Sequence, residues 1–503
     1  MAVLASLPIV ILLFSLIALR MSARKSGAIA FLVSAMISTL FFGLDAKGLA
    51  VSVGKGVALT VFVFFIITAA VYLYNVVDDL KAVDVISRHL VHHISDPAVL
   101  FLLLAWLFSS FLQGIAGFGV PVAIVAPVLV RLGYNPYLSV AAVLIGHSWS
   151  ISFGSMGSSL YALSLVTSFY PQDLAFWMAV YDMAALVFTG LAVAWLYGGL
   201  RAIMSLWIYI LLGSFGVAVS MFGVIHLNLT SIIGLLSSIL GIAVFLGYLK
   251  CRNGCVPDLS RGKEMGFPEA ILPYLLIVMF SLGSQFIPVK VSLLSFNFPA
   301  YQTALGFTVE SAKDFASISL FRHPAPIIFL CGGLSLLYYS RRGFWEKSRF
   351  LPVIRTTMNK CIPTFVSLVF LVSTATIMMG SGMTERIALG VADITGWSYP
   401  LFAPFIGILG AFITGSNTNS NVIFGAFQKT VAETMGLDPV AMSSVQSIGG
   451  SVGCAIGPTQ VLLGTSSTGL QGSESVIYKM LVLKVVFVGL LLGVLNILLL
   501  KLI

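Results

Sequence analysis

Thr414-Gly415-Ser416-Asn417-Thr418-Asn419-Ser420-Asn421 interrupts a long apolar segment with a run of hydroxyls and amides. Roughly 300 residues earlier, Gln113-Gly114-Ile115-Ala116-Gly117-Phe118-Gly119 interrupts another with glycines. After each break comes a second apolar helix, then a turn at Asn135-Pro136 or Asp438-Pro439, then a further helix broken by glycines at matching offsets: Gly146 and Gly154, Gly449 and Gly457. The chain repeats itself. Irregular backbone at membrane depth is tolerated where it is buried in protein or lines a wet cavity, so paired breaks in duplicated halves point to a transporter's substrate site.

Composition fixes the class. The 503 residues are 59% hydrophobic and 9% charged, with a mean hydropathy of +1.05, which describes a polytopic membrane protein. The net charge of +9 does not signal a nucleic-acid partner, because Lys and Arg fall in short loops, where they set orientation. Leu4 to Leu19 lacks a basic leading region and a small-residue cleavage signature, so it reads as a retained span. Cys251 and Cys255 stand close, but no second ligand pair accompanies them, so free thiols are expected and no metal.

A span needs about 20 apolar residues. Basic loops at Arg20, Arg24 and Lys25, at Arg201, at Lys250 to Lys263 and at Arg341 to Arg355 recur every two spans and face the cytoplasm under the positive-inside rule. The expected fold is all-α, with about 12 transmembrane helices near 3–19, 28–44, 57–76, 137–168, 174–198, 203–223, 228–248, 268–288, 323–340, 356–380, 439–468 and 477–500. Residues 98–131 and 401–435 are each long enough for two short helices and read as re-entrant hairpins, the first opening to the cytoplasm and the second outward. Residues 1–200 then form one repeat of five spans plus hairpin, 201–265 two linking spans with a basic cytoplasmic loop, and 266–503 an inverted copy of the first. Ahead of each hairpin lies an amphipathic segment, Asp78 to His93 and Ser381 to Thr395. The histidines of the first (His89, His92, His93) fit a solvated interfacial helix better than a metal site.

Broken helices leave backbone N–H groups free, and helix N-termini carry about half a positive charge, so converging breaks can hold a carboxylate without a buried Lys or Arg. Gly415, Ser416, Asn417, Thr418, Asn419 and Asn421 offer hydroxyls and amides to a small anion. Gln113, Gly114, Gly117, Ser148, Ser155 and Ser158 face them from the first repeat, with Gln446 and Gln460 from the second broken helix. Packing by small residues would explain either run alone; duplication of both breaks favours a site. Ionisable residues inside spans are functional by default, which singles out His147 and Asp182 as proton-coupling candidates.

At these residues the chain resembles the lactate permease family over essentially its whole length. The likeness is most specific in Gly415 to Asn421 with Phe424-Gly425 and Gln428, and in the glycine-broken helices around Phe153-Gly154 and Gly449-Gly450. The resemblance implies a multi-pass plasma-membrane symporter that imports L-lactate, D-lactate and glycolate with protons. It is similar to a wider ion-transporter group whose hairpin tips carry Ser-Asn-Thr, here Ser416-Asn417-Thr418, bind carboxylates and move as an elevator, commonly in homodimers. The first hairpin lacks that motif, which leans toward protons rather than sodium. No cofactor is implied, and the partners are the bilayer and a small carboxylate. The rival within the class is a sodium- or proton-coupled carrier of another anion, a dicarboxylate or sulfonate. An anion channel would not accumulate its substrate. An intramembrane hydrolase using His147 and Ser155 lacks a nucleophile, base and oxyanion set, so the chain is not read as an enzyme.

Overall fold

The computed structural model describes residues 1–17, 19, 21–92, 94–115, 117, 119–253, 265–287, 291–321 and 323–502. Arg20, His93, Cys255, Arg261 and Lys263, singled out in the sequence, lie outside them. Helices follow the apolar runs. α1 (Ala2–Ile17), α2 (Ala23–Phe41), α3 (Ala46–Asp79) and α4 (Ala82–His92) lead to the first break. Asp45 caps α3, its carboxylate accepting the Gly48 N–H at 2.7 Å. The segment before the break comprises α5 (Pro97–Leu102), a π turn (Leu103–Phe108) and α6 (Ser109–Ile115), and α7 (Val120–Arg131) follows it. Tyr134 donates its hydroxyl to the Pro97 carbonyl (2.6 Å), so the two ends of this stretch meet and it is a helical hairpin.

α8 (Pro136–Gly146), a 3-10 turn (Ser148–Phe153) and α9 (Gly154–Thr167) form one broken rod, bent by 46°. α10 (Pro171–His226) is two rods joined at Gly198 and Gly199, where the backbone leaves helical geometry, and Gly199 takes φ +63°. α11 (Ile233–Asn253), α12 (Phe267–Gln285) and α13 (Pro324–Arg341) lead to α14 (Phe350–Gly380), α15 (Met383–Thr395), a hairpin of α16 (Tyr399–Thr414) and α17 (Asn417–Met435), the broken rod α18 (Pro439–Gly453) and α19 (Pro458–Ser467), and α20 (Glu474–Leu500). The arms of the second hairpin run antiparallel: Ser420 donates to the Gly407 carbonyl (3.1 Å) near the tip, and Tyr399 to Gln428 Oε1 (2.7 Å) at the open end. Among the described residues nine helices are long and apolar enough to cross a membrane.

The two broken rods meet at the centre. Ser451 donates to the Ser148 carbonyl (2.7 Å), and Ser152 donates to the Ser447 carbonyl (3.1 Å), so the two broken rods lie antiparallel. α3 and α14 do the same, with Asn75 donating to Thr357 at 2.8 Å and Gly56 packed on Ser373 further along. Gly146 and Gly449 let these rods approach the hairpins. A methyl at Gly146 would strike the Ala105 carbonyl in the π turn, and one at Gly449 the Pro404 carbonyl. Pro404 has no N–H to give, which leaves the Pro400 carbonyl without its helical donor, and Asn496 of α20 supplies one at 2.9 Å. Pro97–Ile115 is 94% buried, against 39% for α20, so the irregular first arm is wrapped by protein, as non-helical backbone in a bilayer must be.

One element departs from the all-α expectation. β1 (Ser292–Phe298) pairs antiparallel with β4 (Ala312–Ser319), and β2 (Tyr301–Gln302) with β3 (Thr308–Val309). The Tyr301 hydroxyl bonds Ser52 (2.8 Å) and the Gly380 carbonyl (3.1 Å), docking the strands on the start of α3 and the end of α14. At the opposite end of α3, Arg349 pairs with Asp79 (3.5 Å) and the Trp345 indole donates to it (3.1 Å). The basic loop and the strands therefore mark opposite ends of the molecule.

Candidate functional site

The second hairpin tip is built by its own residues. Thr414 at the end of α16 donates to the Gly410 carbonyl (2.7 Å) and accepts the Ser416 N–H (3.3 Å). Gly415 turns the chain at φ +68°, and a methyl there would strike Thr459 Oγ1, so conformation and space both demand glycine. Ser416 then caps α17, its hydroxyl accepting the Asn419 N–H (3.4 Å). Across from it α19 begins with Pro458, whose missing N–H costs nothing at a first helical position.

Between the two helix starts lies a cavity of about 370 Å³. Thr414, Gly415, Ser416 and Asn419 line it from the tip, Thr459, Gln460 and Leu463 from α19, and Pro363, Thr364 and Ser367 from α14. None of these carries a charge. Two helix N-termini, with their partial positive charge, and five hydroxyls border the cavity, groups of the kind that suit a small anion. The Gln460 side chain also lines it, with its Oε1 buried and, among the described residues, without a donor; that oxygen lies next to Gly119 of the first tip, so this side chain stands where the two tips approach each other.

The other side chains of the Asn-rich turn point away from that cavity. Asn417, 1% exposed, donates to Ser152 Oγ (3.0 Å). Asn421 donates to Ser447 Oγ (2.9 Å) and to the Ser159 carbonyl (3.0 Å). Thr418 shares a hydrogen bond with Ser159 Oγ (2.9 Å), and Gln446 donates to Ser420 (3.1 Å). These residues tie the second tip to both broken rods. The oxygens Asn417 Oδ1, Asn421 Oδ1 and Gln446 Oε1 are buried and, among the described residues, without partners.

In the first repeat the Gly117 N–H donates to Ser155 Oγ (2.7 Å), fastening that tip to α9. Ser155, Met156 and Gly157 all take left-handed geometry (φ 49°, 54° and 79°), which opens the rod beside the tip. The Gln113 amide lies against Gly117 and Gly154, while Gly114 faces the backbone of Leu235 in a close helix contact. Ser148 returns its hydroxyl to Ile145 (2.8 Å), and Ser158 is buried in α9. His147 Nδ1 bonds the Val143 carbonyl of its own helix. Asp182 is fully buried, and among the described residues neither carboxylate oxygen has a partner.

Of the residues expected at a site, Gly415, Ser416, Asn419 and Gln460 meet in the cavity. The sequence reading missed Thr414, Thr459, Thr364 and Ser367. Thr459 had a signal, since Gly457-Pro458 restarts a helix at the offset shared with Gly154; α14 offered none, because its contribution depends on which helix packs behind the tip.

The family model for L-lactate permease matches residues 1–503. The chain belongs to the L-lactate permease family. An L-lactate permease from Streptococcus iniae is 31% identical, covering 88% of this chain and 93% of its own. The Escherichia coli (strain K12) L-lactate permease and glycolate permease GlcA are 26% and 25% identical, each over 95% of this chain and 92% of its own. The solved Alcanivorax borkumensis YdaH transporter is similar over 90% of this chain and 89% of its own, at 16% identity and a TM-score of 0.49. This permease is a multi-pass plasma-membrane transporter and not an enzyme.

Proposed function

We propose that the permease imports L-lactate and related 2-hydroxy monocarboxylates such as D-lactate and glycolate by proton symport. The observation that carries the reading is the uncharged cavity at the second tip, with two helix N-termini for a carboxylate and Gln460 Oε1 for a hydroxyl. Lactate and glycolate share these two groups, and both names occur among the relatives. The hairpins act as re-entrant elements that carry the site between the two faces against a scaffold of α3 and α14, in an elevator motion and a homodimer. The coupling proton resides on Asp182 or His147, ionisable side chains buried within the membrane region. Loaded with proton and anion, the carrier is neutral and crosses; half-loaded it does not.

A second reading, sodium coupling, is favoured by one observation. Three buried amide oxygens without donors, on Asn417, Asn421 and Gln446, are the ligand type a hard cation takes. Uptake of labelled L-lactate into proteoliposomes under an inward proton gradient, an inward sodium gradient or neither decides between the two. Concentrative uptake with protons alone supports symport with protons; uptake with sodium alone replaces the coupling ion; no lactate uptake by folded protein overturns the substrate and brings forward a dicarboxylate or sulfonate.

A further inference from the structure

Among the groups around the cavity at the second tip, Leu463 has no part in the chemistry given so far. It lines the space three residues after Gln460 on α19, and positions three apart share a helix face. A helical side chain leans toward the N-terminus of its own helix, so Leu463 reaches back over the turn that carries Gln460. Gly119 marks where both side chains end. A Cβ placed there would strike Leu463 Cδ2 and stand 2.9 Å from Gln460 Oε1, so an apolar methyl and an amide oxygen are neighbours at one point of the first tip. Gly119 itself takes φ +82° at the start of α7, a conformation that favours a residue without a side chain. Leu463 keeps 37% of its surface uncovered, apolar area that a ligand in the cavity can bury.

We propose that Leu463 is a specificity residue that reads the carbon substituent on the second carbon of the substrate, an inference that rests on the cavity's holding a 2-hydroxy acid. Lactate carries its hydroxyl and its methyl on one carbon, next to the carboxylate. With the carboxylate at the start of α19 and the hydroxyl on Gln460, the methyl falls on Leu463. Five residues of helix, from Pro458 to Leu463, rise about 7.5 Å, and the backward lean of the side chain shortens that gap toward the span of a three-carbon acid. Glycolate has a hydrogen where lactate has the methyl, and it leaves Leu463 uncovered. One carbon in an apolar pocket is worth about tenfold or more in discrimination. Three unlike contacts around one tetrahedral carbon also distinguish L-lactate from D-lactate. A leucine that merely packed on Gly119 would act differently, since its truncation would weaken every substrate alike.

The test measures inhibition constants of unlabelled L-lactate, D-lactate, glycolate and L-2-hydroxybutyrate against uptake of labelled L-lactate or glycolate by full-length permease in proteoliposomes. The wild-type protein should bind L-lactate about tenfold more tightly than glycolate. Leu463→Ala should bring that ratio to about one, narrow the gap between the lactate enantiomers and improve 2-hydroxybutyrate relative to lactate, because the freed space takes the extra carbon. Leu463→Phe, which decides the matter if the alanine variant does not fold, crowds the same space and should cost lactate about tenfold relative to glycolate. Leu462→Ala, at a neighbouring position that is 54% exposed and outside the cavity wall, should keep the wild-type ratio. A ratio unchanged in the Leu463 variants, or an equal loss for the two acids, would overturn the role of Leu463. No uptake of either acid by folded wild-type protein would instead overturn the 2-hydroxy acid as substrate, and this inference with it.

Discussion

At the scale of single residues, the cavity at the second tip makes Gln460 the reader of the hydroxyl. A buried acceptor left unpaired costs about 1–3 kcal/mol, so the wild-type protein should prefer L-lactate to propionate by roughly ten- to a hundredfold. Gln460→Leu should close that gap by losing lactate affinity while keeping propionate, as measured by competition against labelled lactate; a preserved preference would remove the assignment. Ser416→Ala loses the cap that orders the start of α17, worth about 1 kcal/mol, and removes a donor from the cavity, so lactate uptake should fall about tenfold or more at normal expression. Asp182→Asn keeps the shape and removes the titration. Exchange of lactate across the membrane should continue while accumulation driven by a proton gradient disappears; proton-driven accumulation at the wild-type level would shift the role to His147 or to sodium.

Helix packing explains what several glycines do. Gly146 and Gly449 lie where a broken rod touches a hairpin carbonyl, and neither lines the cavity. Overpacking at such a contact costs about 1–3 kcal/mol, so Gly449→Ala should lower the melting temperature of the detergent-solubilised protein. Gly333→Ala in α13, where a methyl meets open space, should leave it unchanged. Equal shifts for the two would show that the contact does not bear on stability. The breaks themselves are a separate matter. Gly415 turns the second tip, and the left-handed run from Ser155 to Gly157 opens the first rod beyond its packing glycine, Gly146. Sequence offsets alone placed both kinds of glycine in one pattern, because a repeated contact and a repeated ligand turn duplicate together.

Over the whole molecule, the two hairpins open at opposite ends, toward the basic loop and toward the strands. If the carrier works by alternating exposure, Arg131→Cys and Lys429→Cys, each in a background with Cys251 and Cys255 replaced by Ser, should react with membrane-impermeant maleimide from opposite sides. Lactate should change the two rates in opposite directions. Modification of both from one side would rule out the inverted arrangement. The strands from Ser292 to Ser319 belong to this scale too. They contribute no span, yet through Tyr301 they bind the ends of α3 and α14 to each other, which stiffens the pair proposed as scaffold.

The membrane class and the two helix breaks are legible in the chain alone, because hydropathy and glycine spacing are local properties that a bilayer forces into the chain. The sequence also carried the family, through the run from Gly415 to Asn421. Only the tertiary structure decided which side chains of that run share a cavity. On a helix start, neighbours point in different directions, so Ser416 and Asn419 face the cavity while Asn417 and Asn421 turn into the seam with Ser152 and Ser447. The contributions of Thr364 and Ser367 rest on α14 packing behind the tip, and the unpartnered oxygen of Gln460 on what surrounds it. Such facts concern residues far apart in the chain, and no local pattern encodes them.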